Sequence, residues 1–145
     1  MLIIKKGNLL HADENILAHQ VNCRGVMGAG VARQIKKVHP NSFNDYRAHI
    51  RQTDKPLGTC CLSVSGDKII AHLFGQDGYG RDKVYTDLDA LEEAFSDLIA
   101  YAKPLGLTIA IPAYIGCGLA GGDWDEVSAM IDRVSGDYPI IAYKI

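Results

Sequence analysis

Twice in this chain a run of strand-forming residues leads into a glycine-rich turn and then into a helical run. This repeated order restricts the fold more than any other feature. The first instance follows Ile16–Asn22 and reads Cys23-Arg24-Gly25-Val26-Met27-Gly28-Ala29-Gly30. The second follows Thr108–Tyr114 and reads Ile115-Gly116-Cys117-Gly118-Leu119-Ala120-Gly121-Gly122. Strand followed directly by helix is the unit of α/β architecture, in which helices cover both faces of a sheet.

The remaining segments fit that frame. Leu2–Lys5, Asn15–Val21, Thr59–Val64, Lys68–Phe74, Thr108–Ile111 and Pro139–Tyr143 read as strands. Lys68–Phe74 is nearly continuous in apolar residues, as a strand buried on both faces would be, and Gly66-Asp67 before it predicts a hairpin. Val31–Val38 is helical, with Val31, Ile35 and Val38 inward, Arg33, Lys36 and Lys37 outward, and Pro40 as its stop. Phe43, Tyr46 and Ile50 mark a second helix. Leu88, Leu91, Phe95, Leu98 and Ala102 mark a third, opened by Thr86-x-x-Asp89 and stopped before Pro104. Trp124, Val127, Met130, Ile131 and Val134 mark a fourth, with Asp123 and Glu126 as N-cap and N3. The expectation is one domain over residues 1–145, an α/β three-layer α/β/α sandwich with a mixed central sheet.

In open α/β sheets ligands bind beyond the C-terminal strand ends, where both glycine turns fall. Glycine lets main-chain N–H groups turn toward a ligand at little steric cost, and a following helix adds unpaired N–H groups and partial positive charge. Two such turns make an anion clamp suited to a diphosphate. The plain alternative is an ordinary strand-to-helix connection. No Gly-Lys-Ser/Thr follows the glycines, which excludes a Walker loop, and Gly25, Gly28 and Gly30 reverse the spacing of the dinucleotide fingerprint.

Composition narrows the partners. Fifteen Lys and Arg against seventeen Asp and Glu give a formal net charge of −2, with no basic run, which argues against a nucleic-acid or membrane-surface protein. Backbone amides can still hold an anion. Cys23, Cys60, Cys61 and Cys117 show no metal-binding spacing and read as reduced thiols of a cytoplasmic protein. Met1 leads directly into a strand, so no signal peptide is expected, and no membrane partner, metal or cofactor is expected either.

The stretches Asn22–Ala32 and Ile115–Trp124, with the ending Ser135–Tyr143, closely resemble the macrodomain family over essentially the whole chain. The nearest branch is that of the ADP-ribose-1''-phosphate phosphatases and terminal ADP-ribose protein glycohydrolases. The resemblance implies an ADP-ribose site on top of the sheet. Gly28, Ala29, Gly30 and Val31 would border the diphosphate and distal ribose. Ile115, Gly116, Cys117, Gly118 and Leu119 would close over the diphosphate from the other side. Asn22 would hydrogen-bond the distal ribose, Asn8 with Leu9 beside it would meet the adenine, and Tyr143 would pack against it. Asn8 stands where the family usually has Asp.

The resemblance also implies catalytic roles. In the phosphatase branch a histidine at the position of His19 is implicated near the terminal phosphate, which makes His19 and Asn22 the catalytic candidates; the plain reading of His19 is a satisfied core histidine. His72 reads as core, and His11, His39 and His49 as surface residues. The glycohydrolase branch needs a lysine where this chain has Gln76 and an aspartate where it has Ala120. Gln is no nucleophile and Ala no base, so that chemistry would require Lys83 or Asp123, and Asp123 already serves as a helix cap. Cys117 is either a thiol activated by a helix N-terminus or merely a small residue. The implied activity is hydrolysis of a terminally substituted ADP-ribose such as ADP-ribose-1''-phosphate. A non-catalytic reader and a mono-ADP-ribosyl hydrolase are the alternatives, and an ADP-ribosylated macromolecule is a further candidate partner.

Overall fold

A computed structural model describes residues 1–145. Six strands, β1 (Leu2–Lys6), β2 (Ile16–Val21), β3 (Cys60–Ser65), β4 (Lys68–Phe74), β5 (Ile109–Pro112) and β6 (Ile140–Lys144), form one sheet in the order β1-β6-β5-β2-β4-β3. All neighbours are parallel except the β3–β4 hairpin. Four helices, α1 (Gly30–Val38), α2 (Pro40–Gln52), α3 (Leu88–Leu105) and α4 (Trp124–Ser135), cover its two faces, and one short 3-10 turn, Leu9–His11, follows β1.

Alternation along the strands builds two cores. On β2, Ile16 and Ala18 face the cluster containing Leu91, Phe95 and Leu98 of α3 and Val127, Met130 and Ile131 of α4. Leu17 and Val21 face the opposite cluster, which holds Ile35 of α1 and Tyr46 of α2. The expected three-layer sandwich is therefore what the chain forms. No helix is long and apolar enough to cross a membrane.

Helix ends correct three expectations. Pro40 does not merely stop α1; it occupies the first turn of α2, where its missing N–H costs no helical bond. Nor does α3 stop before Pro104. It runs through Pro104 to a Schellman ending, with Gly106 left-handed at φ 66 and the N–H groups of Gly106 and Leu107 donating to Lys103 and Ala102 at 3.1 Å each. The cap of α3 is Asp87, whose side chain accepts from Ala90 N–H. Thr86 is thereby freed for another task.

Candidate functional site

Strands β2 and β5 pair only at their beginnings, through Ile16↔Ile109 and Leu17↔Ala110. Beyond that point β2 continues along β4 as far as Val21↔Phe74, and β5 along β6 as far as Pro112↔Tyr143. The sheet thus opens between these two strands at their C-terminal ends. The chain leaving β2 passes to the α1–α2 layer, and the chain leaving β5 passes to α4 on the other face. That is a topological switch point, where α/β folds place ligands. One glycine turn stands on each side of the opening.

Asn22 organises the first turn. Its Nδ2 donates to the Val26 carbonyl at 2.8 Å, and its Oδ1 accepts from Arg24 N–H at 2.9 Å. The Tyr46 hydroxyl, from α2, bridges the Asn22 carbonyl and Oδ1 at 2.7 and 2.8 Å and accepts from Gly25 N–H at 3.1 Å. Tyr46 is fully buried, and burial pushes its phenol up to about 12, so it stays protonated. After this knot the main chain runs free. No N–H from Gly28 to Ala32 finds an acceptor within the chain, and Ala29 at the N-cap of α1 supplies no side-chain bond. By contrast α3 and α4 are capped by Asp87 and Asp123. The uncapped end of α1 keeps its donors and its partial positive charge available to an anion.

The second turn is held by its carbonyls rather than its amides. Gly116, at φ 75, presents its carbonyl to Gly122 N–H at 2.8 Å and to the Thr86 hydroxyl at 2.6 Å. Tyr114 is also left-handed, at φ 64, which costs a non-glycine residue about 1 kcal/mol. The N–H groups of Ile115, Gly116, Gly118, Leu119 and Ala120 have no acceptor within the chain. Gly118 and Leu119 are exposed at the rim, while Ile115 anchors the turn in the core.

Beneath the opening a polar relay ties the surrounding segments together. Gln20 Nε2 donates to Gln76 Oε1 at 2.8 Å and to Thr86 Oγ1 at 3.0 Å, and the Thr86 hydroxyl in turn donates to the Gly116 carbonyl. Gln76 Nε2 donates to the Gly78 carbonyl at 2.8 Å. A bridge between Gln76 and Thr86 closes residues 77–85 into an excursion, and a groove of about 610 Å³ separates its residues Arg81–Val84 from Gly118, Leu119 and Gly121. A Cβ on Gly75 would stand 2.3 Å from Gln20 Oε1 and one on Gly116 3.0 Å from it, so a side chain at either position would press on Gln20, and at Gly116 the left-handed backbone opposes it as well.

The structure overturns the acid–base expectation for His19. It is 1 % exposed, and its Nε2 bonds His72 Nδ1 at 2.8 Å. Strand alternation turns it toward the α1–α2 core. Burial, with His72 beside it, holds its pKa well below the usual histidine value, so it is a neutral core residue that no phosphate reaches. Leu9 also lies in the core, 5 % exposed, and offers a ligand little surface. Asn8 accepts from Leu10 N–H at 3.0 Å as cap of the 3-10 turn. Tyr143 is half-buried and donates to Glu14 at 2.6 Å. Burial pushes the Cys117 thiol up to about 11, with Asp123 adding to it, and its Sγ sits 3.3 Å from the Ile115 carbonyl; it is a protonated thiol, not an activated one. His39 and His49 are half-buried rather than surface residues, bonded to Ser65 and Thr59.

Gln20, Tyr46 and Thr86 were not singled out as site residues from sequence. Tyr46 lies on the apolar stripe of its helix, Thr86 imitates a helix cap, and the partners of all three are distant in sequence. A polar residue at Gln20, in register with inward-facing Ile16 and Ala18, was the one available signal.

Residues 18–131 match the family model described as Macro domain. The DNA ADP-ribosyl glycohydrolase of Mycobacterium tuberculosis is 29% identical across 88% of this chain, which spans only 36% of that protein's length. The ADP-ribose 1''-phosphate phosphatase of Meyerozyma guilliermondii is 29% identical across 88% of this chain and 90% of its own. Among solved structures, the macrodomain of Mycobacterium tuberculosis DarG superposes with a TM-score of 0.85 at 26% identity, covering 100% of this chain and 98% of that one.

Proposed function

Since the chain belongs to the Macro domain family, we propose that it binds ADP-ribose in the opening between β2 and β5 and acts on a terminally substituted form of it. One observation carries this reading: two runs of unpartnered main-chain N–H groups, Gly28–Ala32 and Gly118–Ala120, flank a topological switch point. Amides held by a rigid scaffold bind a diphosphate without lysine or arginine. The remaining Nδ2 hydrogen of Asn22 meets the distal ribose, and Asn8 and Tyr143 serve the adenine end. The free thiols fit a cytoplasmic protein.

ADP-ribose-1''-phosphate is the favoured substrate. Water attacks phosphorus, the bond from phosphorus to the ribose oxygen breaks, and that oxygen takes a proton to leave ADP-ribose and inorganic phosphate. With His19 buried, this chain contributes position and amide stabilisation of the developing charge, by Asn22 and the two turns. Such positioning supplies on the order of 7 kcal/mol in good cases, about five powers of ten in rate. The burial of His19 also favours a second reading, a non-catalytic ADP-ribose reader. A mono-ADP-ribosyl hydrolase is the third, the mycobacterial relative being named a DNA ADP-ribosyl glycohydrolase; Gln76 and Ala120 give it neither nucleophile nor base.

The test is calorimetry with ADP-ribose beside phosphate release from ADP-ribose-1''-phosphate. Binding with release supports the phosphatase, and binding without release supports the reader. Absence of binding removes the proposal altogether.

A further inference from the structure

The near-neutral total charge conceals two layers of opposite sign. Residues 24–55 carry Arg24, Arg33, Lys36, Lys37, Arg47, Arg51 and Lys55 against only Asp45 and Asp54. The rest of the chain carries eight cations against fifteen carboxylates. Many of these carboxylates lie on α3 and α4, including Asp89, Glu92, Glu93, Asp97, Asp125, Glu126 and Asp132. The basic layer, α1 and α2, therefore covers one face of the sheet and the acidic layer the other.

The basic layer is also uncompensated. Arg33, Lys36, Lys37, Arg47, Arg51 and Lys55 are all exposed, and none takes part in an ion pair; the chain's three pairs are Arg24–Asp77, Lys103–Asp137 and Arg133–Glu92. Phe43 of α2 gathers cations from both helices, with Lys36 Nζ 4.1 Å and the Arg47 guanidinium 5.6 Å from its ring centre. Arg47 reaches the first glycine turn, its Nε standing 3.9 Å from where a Cβ on Gly25 would lie. A cationic track thus runs from the margin of the opening across Arg47 and Phe43 to Lys36 and Lys37.

We propose that the α1–α2 face docks the phosphodiester backbone of a nucleic-acid strand, with the track leading the strand toward the opening between β2 and β5. Exposed, unpaired cations on two helices, continuous with a cleft already lined by free amides, match a repeating anion at neighbouring positions. The link from track to opening rests on the ADP-ribose reading above; the surface itself does not.

The test is fluorescence anisotropy of a fluorescein-labelled single-stranded oligonucleotide with the wild-type chain, from low to physiological salt. Binding should weaken steeply with salt. Lys36→Glu/Lys37→Glu should weaken it about tenfold or more and flatten the salt slope by about one per cation removed. Lys103→Glu on the acidic layer should have little effect. Calorimetry with free ADP-ribose on the same proteins should show equal affinity for wild type and the double variant, which separates this surface from the opening: oligonucleotide binding without ADP-ribose binding sinks the functional reading and leaves the docking surface. No salt-dependent binding, or binding equal in the double variant, overturns the docking proposal. So does sedimentation showing instead a salt-dependent dimer that the same double variant dissociates, which would assign the face to the acidic layer of a second copy.

Discussion

The hydroxyl of Tyr46, on α2, lies 2.8 Å from Oδ1 of Asn22, at the end of β2. This contact joins a fully buried helix residue to the residue that shapes the first glycine turn. Tyr46→Phe keeps the ring, which stacks on Phe74 at 5.6 Å, and removes only the oxygen. Gly25 N–H then loses its acceptor. Stability should fall by about 1–2 kcal/mol in denaturant unfolding, the usual cost of stranding a partly buried donor. ADP-ribose affinity should fall several-fold, because Asn22 and the turn lose their anchor. A variant that is destabilised yet binds as wild type would show that the knot serves the fold alone.

The two turns differ in how they tolerate a side chain, and this allows a clean test of the second. A Cβ at Gly118 meets nothing within 4 Å and the residue is not left-handed. Gly118→Glu should therefore leave the unfolding midpoint near that of the wild type. Its carboxylate should abolish detectable ADP-ribose binding by repelling the diphosphate, while Gly118→Ala should bind within a few-fold of wild type. Unchanged affinity for the glutamate variant would remove this turn from the site. Gly116 offers no such test, since its left-handed backbone and its contacts with Gln20 and Thr86 make any substitution a folding defect.

Acid should destabilise the fold through the histidine pair. Burial holds His72 at about 3, and burial with His72 beside it holds His19 well below the usual value. The unfolded chain binds protons at both near pH 6.5, whereas the folded chain binds none there. Stability contributed by the neutral pair is thus present above about pH 6.5 and is lost as pH falls below it, by up to about 1.4 kcal/mol per unit for each histidine. Unfolding at pH 7.5, 6 and 5 should show a steady loss. His19→Leu should reduce the slope, and a midpoint flat over this range would mean that the pair is solvated.

Much of the fold was legible because hydrophobic period dictates it. The continuous run Lys68–Phe74 had to be an interior strand, and the spacing of Leu91, Phe95 and Leu98 had to be a helix facing the sheet. The positions of the glycine turns at strand ends followed. The content of the site was less legible. Whether His19 faces solvent or core depends on the strand's two neighbours, and the β2–β4 pairing places it against His72. The task of Thr86 depends on Gly116, thirty residues on. Charge segregation was hidden because net charge averages over a fold that sorts its helices onto opposite faces.

Asn8 gives the last test. Its Oδ1 already accepts from Leu10 N–H, and its other polar atom is an amide nitrogen, which can only donate. An adenine amino group that approaches it must share Oδ1. Aspartate caps a helical turn about as well as asparagine, so Asn8→Asp should leave the unfolding midpoint within about 0.5 kcal/mol of wild type. Its second oxygen, and its charge, would then be available to the amino group, since charge-assisted hydrogen bonds are roughly twice as strong as neutral ones. Calorimetry should show ADP-ribose binding tightened by about tenfold, with no comparable gain for an analogue lacking the adenine amino group. Weaker binding, or an equal gain for both ligands, would place the adenine elsewhere.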